Sequence, residues 1–213
     1  MSTLLKIMLL GCLSMSAFAE EAKLEKIQVP TDKASIAKGA EDWISNCLTC
    51  HTMKYVKYRD LLSLGMDKAK VDSLRGEASL DTPLTAQMTE EVSMATFAKI
   101  PPDLSLMAQA RDGGPNYVYS YLIGYYVKPD GSVGNHIFPE TKMPDPLGIS
   151  SAANAAERAE KVKTAKSITT FLTWAADPHS GERDTLGKYV IAYLVVLSAL
   201  LYVVKKQIWS RLK

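Results

Sequence analysis

Cys47 and Cys50 stand three positions apart, and His51 follows at once: Cys47-Leu48-Thr49-Cys50-His51. Two thiols and an imidazole at this spacing are what covalent haem attachment uses. Each thiol adds across one vinyl group of the porphyrin, and the imidazole nitrogen ligates the iron. Other chemistries fit less well. A structural zinc site takes about four ligands. Beyond these three residues only His136, His179 and carboxylates remain, and there is no second Cys pair. A thioredoxin-like redox pair sits at a strand-to-helix turn of a βαβ unit, and no β-branched strand runs flank this one. Covalent haem c, one group per chain, is the expectation.

His51 leaves the other face of an iron open. The chain has 9 Met. Met1, Met8 and Met15 fall in an expected leader, and Met53 is too close to His51 to cross a porphyrin. Met66, Met88, Met94 and Met107 stand in apolar positions and read as core. Met143 differs. It follows His51 by 92 residues in a Gly- and Pro-rich stretch, and Pro144 biases its backbone toward extended geometry. Such a loop can fold over the haem and bring a thioether to the iron. Met143 is the expected axial partner, with His136 the alternative. A His/Met pair raises the reduction potential. With both faces of the iron filled, the chemistry is one-electron transfer rather than oxygen or peroxide binding.

Two further needs follow. The haem propionates are anions, and Arg111 offers a bidentate guanidinium. Five of the ten tyrosines, Tyr117, Tyr119, Tyr121, Tyr125 and Tyr126, lie within ten residues of one another. They read as aromatic core, with one or two hydroxyls for a propionate. The His51 ring also needs an acceptor that fixes its tautomer, and a carbonyl of Pro101-Pro102 is the candidate.

The elements that must hold these groups read as helices joined by long loops. Thr31 or Asp32 caps a helix from Lys33 to Ser45, with Ile36, Ala37, Ala40, Trp43 and Ile44 at helical spacing. Short helices are expected over 60–64, 67–74 and 89–98, the last capped by Thr89. Pro101-Pro102 breaks the chain before another short helix that ends at Arg111. Gly113-Gly114-Pro115-Asn116 turns into a helix from Tyr117 to Tyr126. Residues 127–150 form a loop. A long helix runs from Ser150 or Ser151 to Ala176, with Ile168, Phe171, Leu172 and Ala175 on its apolar face. Its second half should pack on the helix before the Cys motif. The fold class is all-α: a haem domain with long loops, plus one C-terminal transmembrane helix.

The ends place the domain. Lys6, the apolar run from Ile7 to Leu13 and Ala17-Phe18-Ala19 make a secretory signal over residues 1–19, cleaved after Ala19. That removes Cys12; Leu9-Leu10-Gly11-Cys12 resembles a lipoprotein cleavage site only weakly, because the apolar run before it is short. Tyr189 to Val204 holds 16 residues without a charge. It anchors a span over 186–206, with Lys188, Lys205 and Lys206 reaching outward. Lys205, Lys206, Arg211 and Lys213 put the tail, 207–213, in the cytoplasm. Residues 20–185 are then the exported haem domain. Overall the formal net charge is +2, but residues 20–187 carry a net −4. That balance argues against nucleic-acid binding and suits a basic protein partner.

Four stretches in order carry a family resemblance. They are Cys-Leu-Thr-Cys-His-Thr-Met-Lys-Tyr-Val-Lys-Tyr-Arg-Asp (47–60), Pro-Pro-Asp-Leu-Ser (101–105) with Ala-Arg-Asp-Gly-Gly-Pro-Asn-Tyr-Val-Tyr-Ser-Tyr-Leu-Ile-Gly-Tyr (110–125), Lys-Met-Pro-Asp-Pro-Leu (142–147), and Phe-Leu-Thr-Trp-Ala-Ala-Asp-Pro (171–178) leading into the anchor. Together they resemble cytochrome c1, the haem subunit of the cytochrome bc1 complex. The resemblance implies a class I cytochrome c-like haem domain on one membrane helix. It implies that Cys47 and Cys50 bind haem, that His51 and Met143 are axial ligands, and that Arg111 and Tyr117 lie near the propionates. It implies cytochrome b and the Rieske iron–sulfur protein as partners, the latter as electron donor, and a cytochrome c as acceptor. The whole complex, expected as a dimer, oxidises quinol in a bacterial inner membrane with this haem domain in the periplasm. Residues 61–100 match the family pattern least. A stand-alone membrane-tethered cytochrome c feeding a terminal oxidase is the competing function.

Overall fold

The computed structural model describes residues 23–211. The expected signal, its cleavage point and Cys12 lie outside the described residues, as do Leu212 and Lys213 of the tail. In chain order the elements are α1 (Lys33–Asn46), β1 (Met53–Lys57), α2 (Tyr58–Ser63), α3 (Lys68–Arg75), β2 (Pro83–Leu84), α4 (Glu90–Phe97), α5 (Met107–Ala110), α6 (Pro115–Ile123), β3 (Tyr125–Val127), β4 (Val133–Asn135), α7 (Ala155–Ala176) and α8 (Ser180–Ser210).

Two crossing helices make the frame. Asp32 caps α1 by accepting the Ser35 N–H at 2.9 Å. Ile36, Gly39, Ala40 and Trp43 are its buried residues, the i, i+3, i+4, i+7 stripe of a helix with one apolar face. That stripe packs on Ile168, Phe171, Leu172 and Ala175 of α7, as their spacing predicts. The Trp43 and Phe171 ring centroids lie 6.0 Å apart, and Phe171 stacks on Trp174 at 5.8 Å. Both Trp43 and Phe171 are fully buried; each such side chain contributes about 1.5–3 kcal/mol by leaving water. The helices approach closely because Gly39 has no side chain to keep them apart.

Helix α6 joins the same core through Val118 and Leu122. An extended segment lies along it: Ser120 Oγ accepts the Glu25 N–H at 2.7 Å, and Asn116 Oδ1 accepts the Ile27 N–H at 2.9 Å. Helix α6 ends at Ile123, short of the expected Tyr126. Asn135 Nδ2 donates to the Tyr121 carbonyl at 2.8 Å, and the His136 N–H donates to the Gly124 carbonyl at 3.0 Å. These bonds take the groups that would continue the helix. Tyr125 and Tyr126 instead enter an antiparallel hairpin, with Tyr125 opposite Asn135 and Val127 opposite Val133. A second small sheet pairs β1 with β2. The fold is thus mostly helical, as expected, with two short sheets that the sequence does not predict: β1 and β2 stand among the short helices of 52–100, and β3 and β4 where a helix end and a loop are expected.

Helix α7 starts at Ala155, a few residues later than expected, because Asn154 supplies the cap: its Oδ1 accepts the Glu157 N–H at 2.9 Å. It ends at Ala176, and only Asp177, Pro178 and His179 separate it from α8. Helix α8 has 31 residues and none of them is buried. At 1.5 Å per residue it is about 46 Å long, more than a hydrocarbon core of about 30 Å needs. Among the described residues it is the one helix long and apolar enough to cross a membrane.

Candidate haem-binding site

The Cys motif begins where α1 stops. The Cys47 N–H still donates to the Trp43 carbonyl at 2.8 Å. The Cys50 and His51 N–H groups then both turn back to the Cys47 carbonyl, at 3.1 and 2.9 Å. One turn therefore carries both sulfurs and the imidazole. Cys47 is 4% exposed, His51 6%, and Cys50 is half-buried. No disulfide joins Cys47 and Cys50. Burial pushes the Cys47 thiol up to about 12, helped by the neighbouring Cys50.

His51 Nδ1 lies 2.8 Å from the Pro102 carbonyl oxygen. A carbonyl only accepts, so Nδ1 carries the hydrogen and Nε2 keeps its lone pair. Burial lowers the affinity of the ring for a second proton, and the Pro102 carbonyl and Asp103 oppose this only in part. A neutral imidazole with Nε2 unspent is the form that binds a metal.

Pro102 is held in place from both sides of the turn. The Leu104 N–H donates to the Thr52 carbonyl at 2.9 Å. Asp103 Oδ2 accepts the Lys54 N–H at 2.9 Å, and its Oδ1 accepts the Ser105 N–H at 2.9 Å. Ser105 Oγ accepts the Tyr55 N–H at 3.2 Å. Opposite, the Gln87 and Met88 N–H groups donate to the carbonyls of Leu48 and Thr49 at 3.2 and 2.9 Å. The segment least legible in sequence thus braces the Cys motif.

Arg111 and Tyr117 come together. The guanidinium carbon sits 5.8 Å from the Tyr117 ring centre, within cation–π range. Tyr117 stacks on Tyr121 at 6.2 Å, and Tyr121 meets Tyr125 edge-on at 5.7 Å. Arg111 makes no ion pair among the described residues, so its charge is available to an anion. Met143 is half-buried, its carbonyl facing the Tyr125 hydroxyl at 3.3 Å. Among the described residues no hydrogen bond joins the Met143 loop to the His51 turn. His136 goes elsewhere: it is exposed and stacks on Tyr126, with ring centres 4.1 Å apart.

Haem c fits this set of donors. It needs two thiols on one turn, a neutral imidazole, a soft sixth ligand and a cation for its carboxylates. Cys47, Cys50, His51, Met143 and Arg111 are of those types, and the first three share one turn. Sequence reasoning missed Tyr125 and Thr141 as the partners of Met143, and Asp145 as the anchor of the chain just after it. Asp145 takes the Leu147 N–H at 3.2 Å and the Ser150 N–H at 2.7 Å. The Asp-x-Leu spacing was a signal for that turn, since Asp often accepts an N–H two residues on.

The Cytochrome C1 family model matches residues 23–92 and 80–212. Cytochrome c1 of Allochromatium vinosum is 30% identical over 210 residues, covering 84% of this chain and 85% of that protein. Cytochrome c1 of Rhodospirillum rubrum is 30% identical over 226 residues, with 85% and 83% covered. A mitochondrial cytochrome c1 haem protein of Arabidopsis thaliana is 31% identical over 246 residues, with 95% and 80% covered. The match runs through the turn that carries both thiols, past the tyrosine row and into α8, and on that ground the chain belongs to the cytochrome c1 family, whose members hold haem c covalently.

Proposed function

We propose that this chain is the one-electron relay of a quinol–cytochrome c reductase, taking electrons from the Rieske iron–sulfur protein and passing them to a cytochrome c. The observation that carries the reading is the Pro102 carbonyl 2.8 Å from His51 Nδ1. It spends one ring nitrogen on the protein and leaves the other for iron.

In this reading Cys47 and Cys50 would hold the porphyrin by thioether bonds, and His51 and Met143 would ligate its iron. Bound, the haem supplies one-electron iron chemistry. The protein residues set its conditions. Pro102 fixes the imidazole tautomer. Met143 would supply its thioether to the iron and so keep small oxidants from it. Arg111 offsets propionate charge, with Tyr117 backing the guanidinium.

The same proposal extends to placement. Residues 1–19 act as a cleaved signal, 20–185 as a periplasmic haem domain, 186–206 as the anchor in a bacterial inner membrane, and 207–213 as a cytoplasmic tail. Helix α8 then packs beside cytochrome b, and the complex is a dimer of such assemblies. The test is purification through this chain from detergent-solubilised membranes, followed by a redox titration. Cytochrome b and the Rieske protein should co-purify, and colour should stay with the polypeptide after acid–acetone extraction. Met143→Leu should lower the potential by on the order of a hundred millivolts or more. A colourless extracted chain, or an unchanged potential in that variant, overturns the haem attachment or the ligand assignment respectively.

A further inference from the structure

The loop that carries Met143 is tied to the tyrosine row through both backbone groups of that one residue. Its N–H donates to Thr141 Oγ1 at 3.2 Å. Its carbonyl oxygen accepts from the Tyr125 hydroxyl at 3.3 Å. Thr141 Oγ1 is itself hydrogen-bonded to the Tyr121 hydroxyl, which lies 3.3 Å from that of Tyr125. Three side chains from α6, β3 and the loop thus enclose one peptide unit on each side of a single thioether. Tyr125 is only 2% exposed, and Tyr121 meets its ring edge-on. Packing alone does not ask for a phenol there. Phenylalanine would fill nearly the same space without the burden of a buried hydroxyl. The hydroxyl is directed at the backbone of the residue that brings sulfur to the site.

We infer that Tyr125 and Thr141 are positioning residues for the sixth ligand, clamping the Met143 backbone so that its sulfur stays on the iron and outside ligands are kept off. This rests on the assignment of Met143 as that ligand. A thioether held by a loop leaves the metal whenever the loop opens, and local opening is governed by the few contacts that hold the segment. Two of those contacts are the N–H and carbonyl bonds of Met143 itself. Asp145 fixes the chain beyond Pro144, so opening between these anchors depends on the clamp.

The test uses the full-length, haem-loaded protein in detergent. It reads two signals: the far-red absorption band of a methionine sulfur on ferric iron, and the rate of carbon monoxide binding to the reduced form. Tyr125→Phe and Thr141→Val should each speed carbon monoxide binding by about fivefold or more, the effect of losing one hydrogen bond, and should weaken the far-red band. Thr141→Ser keeps the oxygen and should restore both signals. Tyr119→Phe, outside the clamp, should change neither. Met143→Leu separates the two assignments. If it abolishes the far-red band while Tyr125→Phe and Thr141→Val leave carbon monoxide binding at the parent rate, the clamp is wrong and the ligand stands. If Met143→Leu leaves the band intact, the ligand assignment itself falls. A lower thermal midpoint in Tyr125→Phe with an unchanged binding rate would make Tyr125 a core residue only and overturn the inference.

Discussion

A methyl group placed on Gly39 would sit 2.1 Å from the carbonyl oxygen of Ser167 and 2.9 Å from the Phe171 Cβ. No carbon atom is accommodated at that distance from backbone oxygen, so at this point the α1 backbone lies directly against the Ser167 main chain and the Phe171 Cβ of α7. Gly39→Ala should therefore destabilise the fold by about 1–3 kcal/mol through overpacking, although alanine favours a helix by about 1 kcal/mol. Denaturant unfolding of the haem-loaded protein reads this. A neutral or stabilising result would mean that α1 and α7 are not packed as described.

Asp103 holds two backbone N–H groups, those of Lys54 and Ser105, and so keeps Pro102 against His51. Asp103→Ala leaves both donors without that partner. The expected loss is about 1–3 kcal/mol, together with a changed haem spectrum as the imidazole loosens. Asp103→Asn keeps one acceptor oxygen and should lose less. Thermal unfolding and the reduced absorption spectrum are the measurements.

Ala98 ends α4 in the left-handed region, at φ +52°. An L-residue with a Cβ pays about 1–2 kcal/mol there; glycine does not, though it gives back part of the gain through its freer unfolded chain. Ala98→Gly should raise stability by up to about 1 kcal/mol. The thermal midpoint should rise, and a fall would show that the residue is not left-handed in solution.

Asp32 accepts the Ser35 N–H and interacts with its hydroxyl, and these hold the carboxyl below the usual range. Its pKa is thus lower folded than unfolded. The stabilisation is complete above the unfolded value of about 3.9 and is lost as pH falls through the folded value. Asp32→Asn caps without titrating. Its thermal midpoint should fall less between mildly acidic and strongly acidic pH than that of the parent. Parallel midpoint curves for the two proteins would remove Asp32 as a contributor.

The local signals in the sequence reached some elements and not others. Thr89, Asp32 and the apolar stripe from Ile36 to Trp43 announced their helices, because capping and helical spacing are local properties. The Pro102 carbonyl was also legible as the partner of His51, since a ring offered to a metal needs an acceptor that fixes its tautomer. The hairpin of Tyr125 with Asn135 was not. Its determinants are the Asn135 side chain and the His136 N–H, which act on α6 from ten or more residues downstream. Residues 83–88 carry little periodicity, yet Met53 pairs with Leu84 and Met88 bonds Thr49. Contacts of this kind are made after collapse and leave no repeating pattern. For the site, residue type and spacing nominated the donors proposed above, while the hydrogen bonds of Met143 to Thr141 and Tyr125 needed three dimensions.

Only three residues, Asp177 to His179, join α7 to α8, and Arg183 returns both guanidinium nitrogens to Asp177 across that joint. Fully stretched, three residues reach about 10 Å. A redox head on so short a leash has no room to roam between distant stations. Under the proposed function, diffusion and swinging would then fall to whatever delivers and collects the electrons.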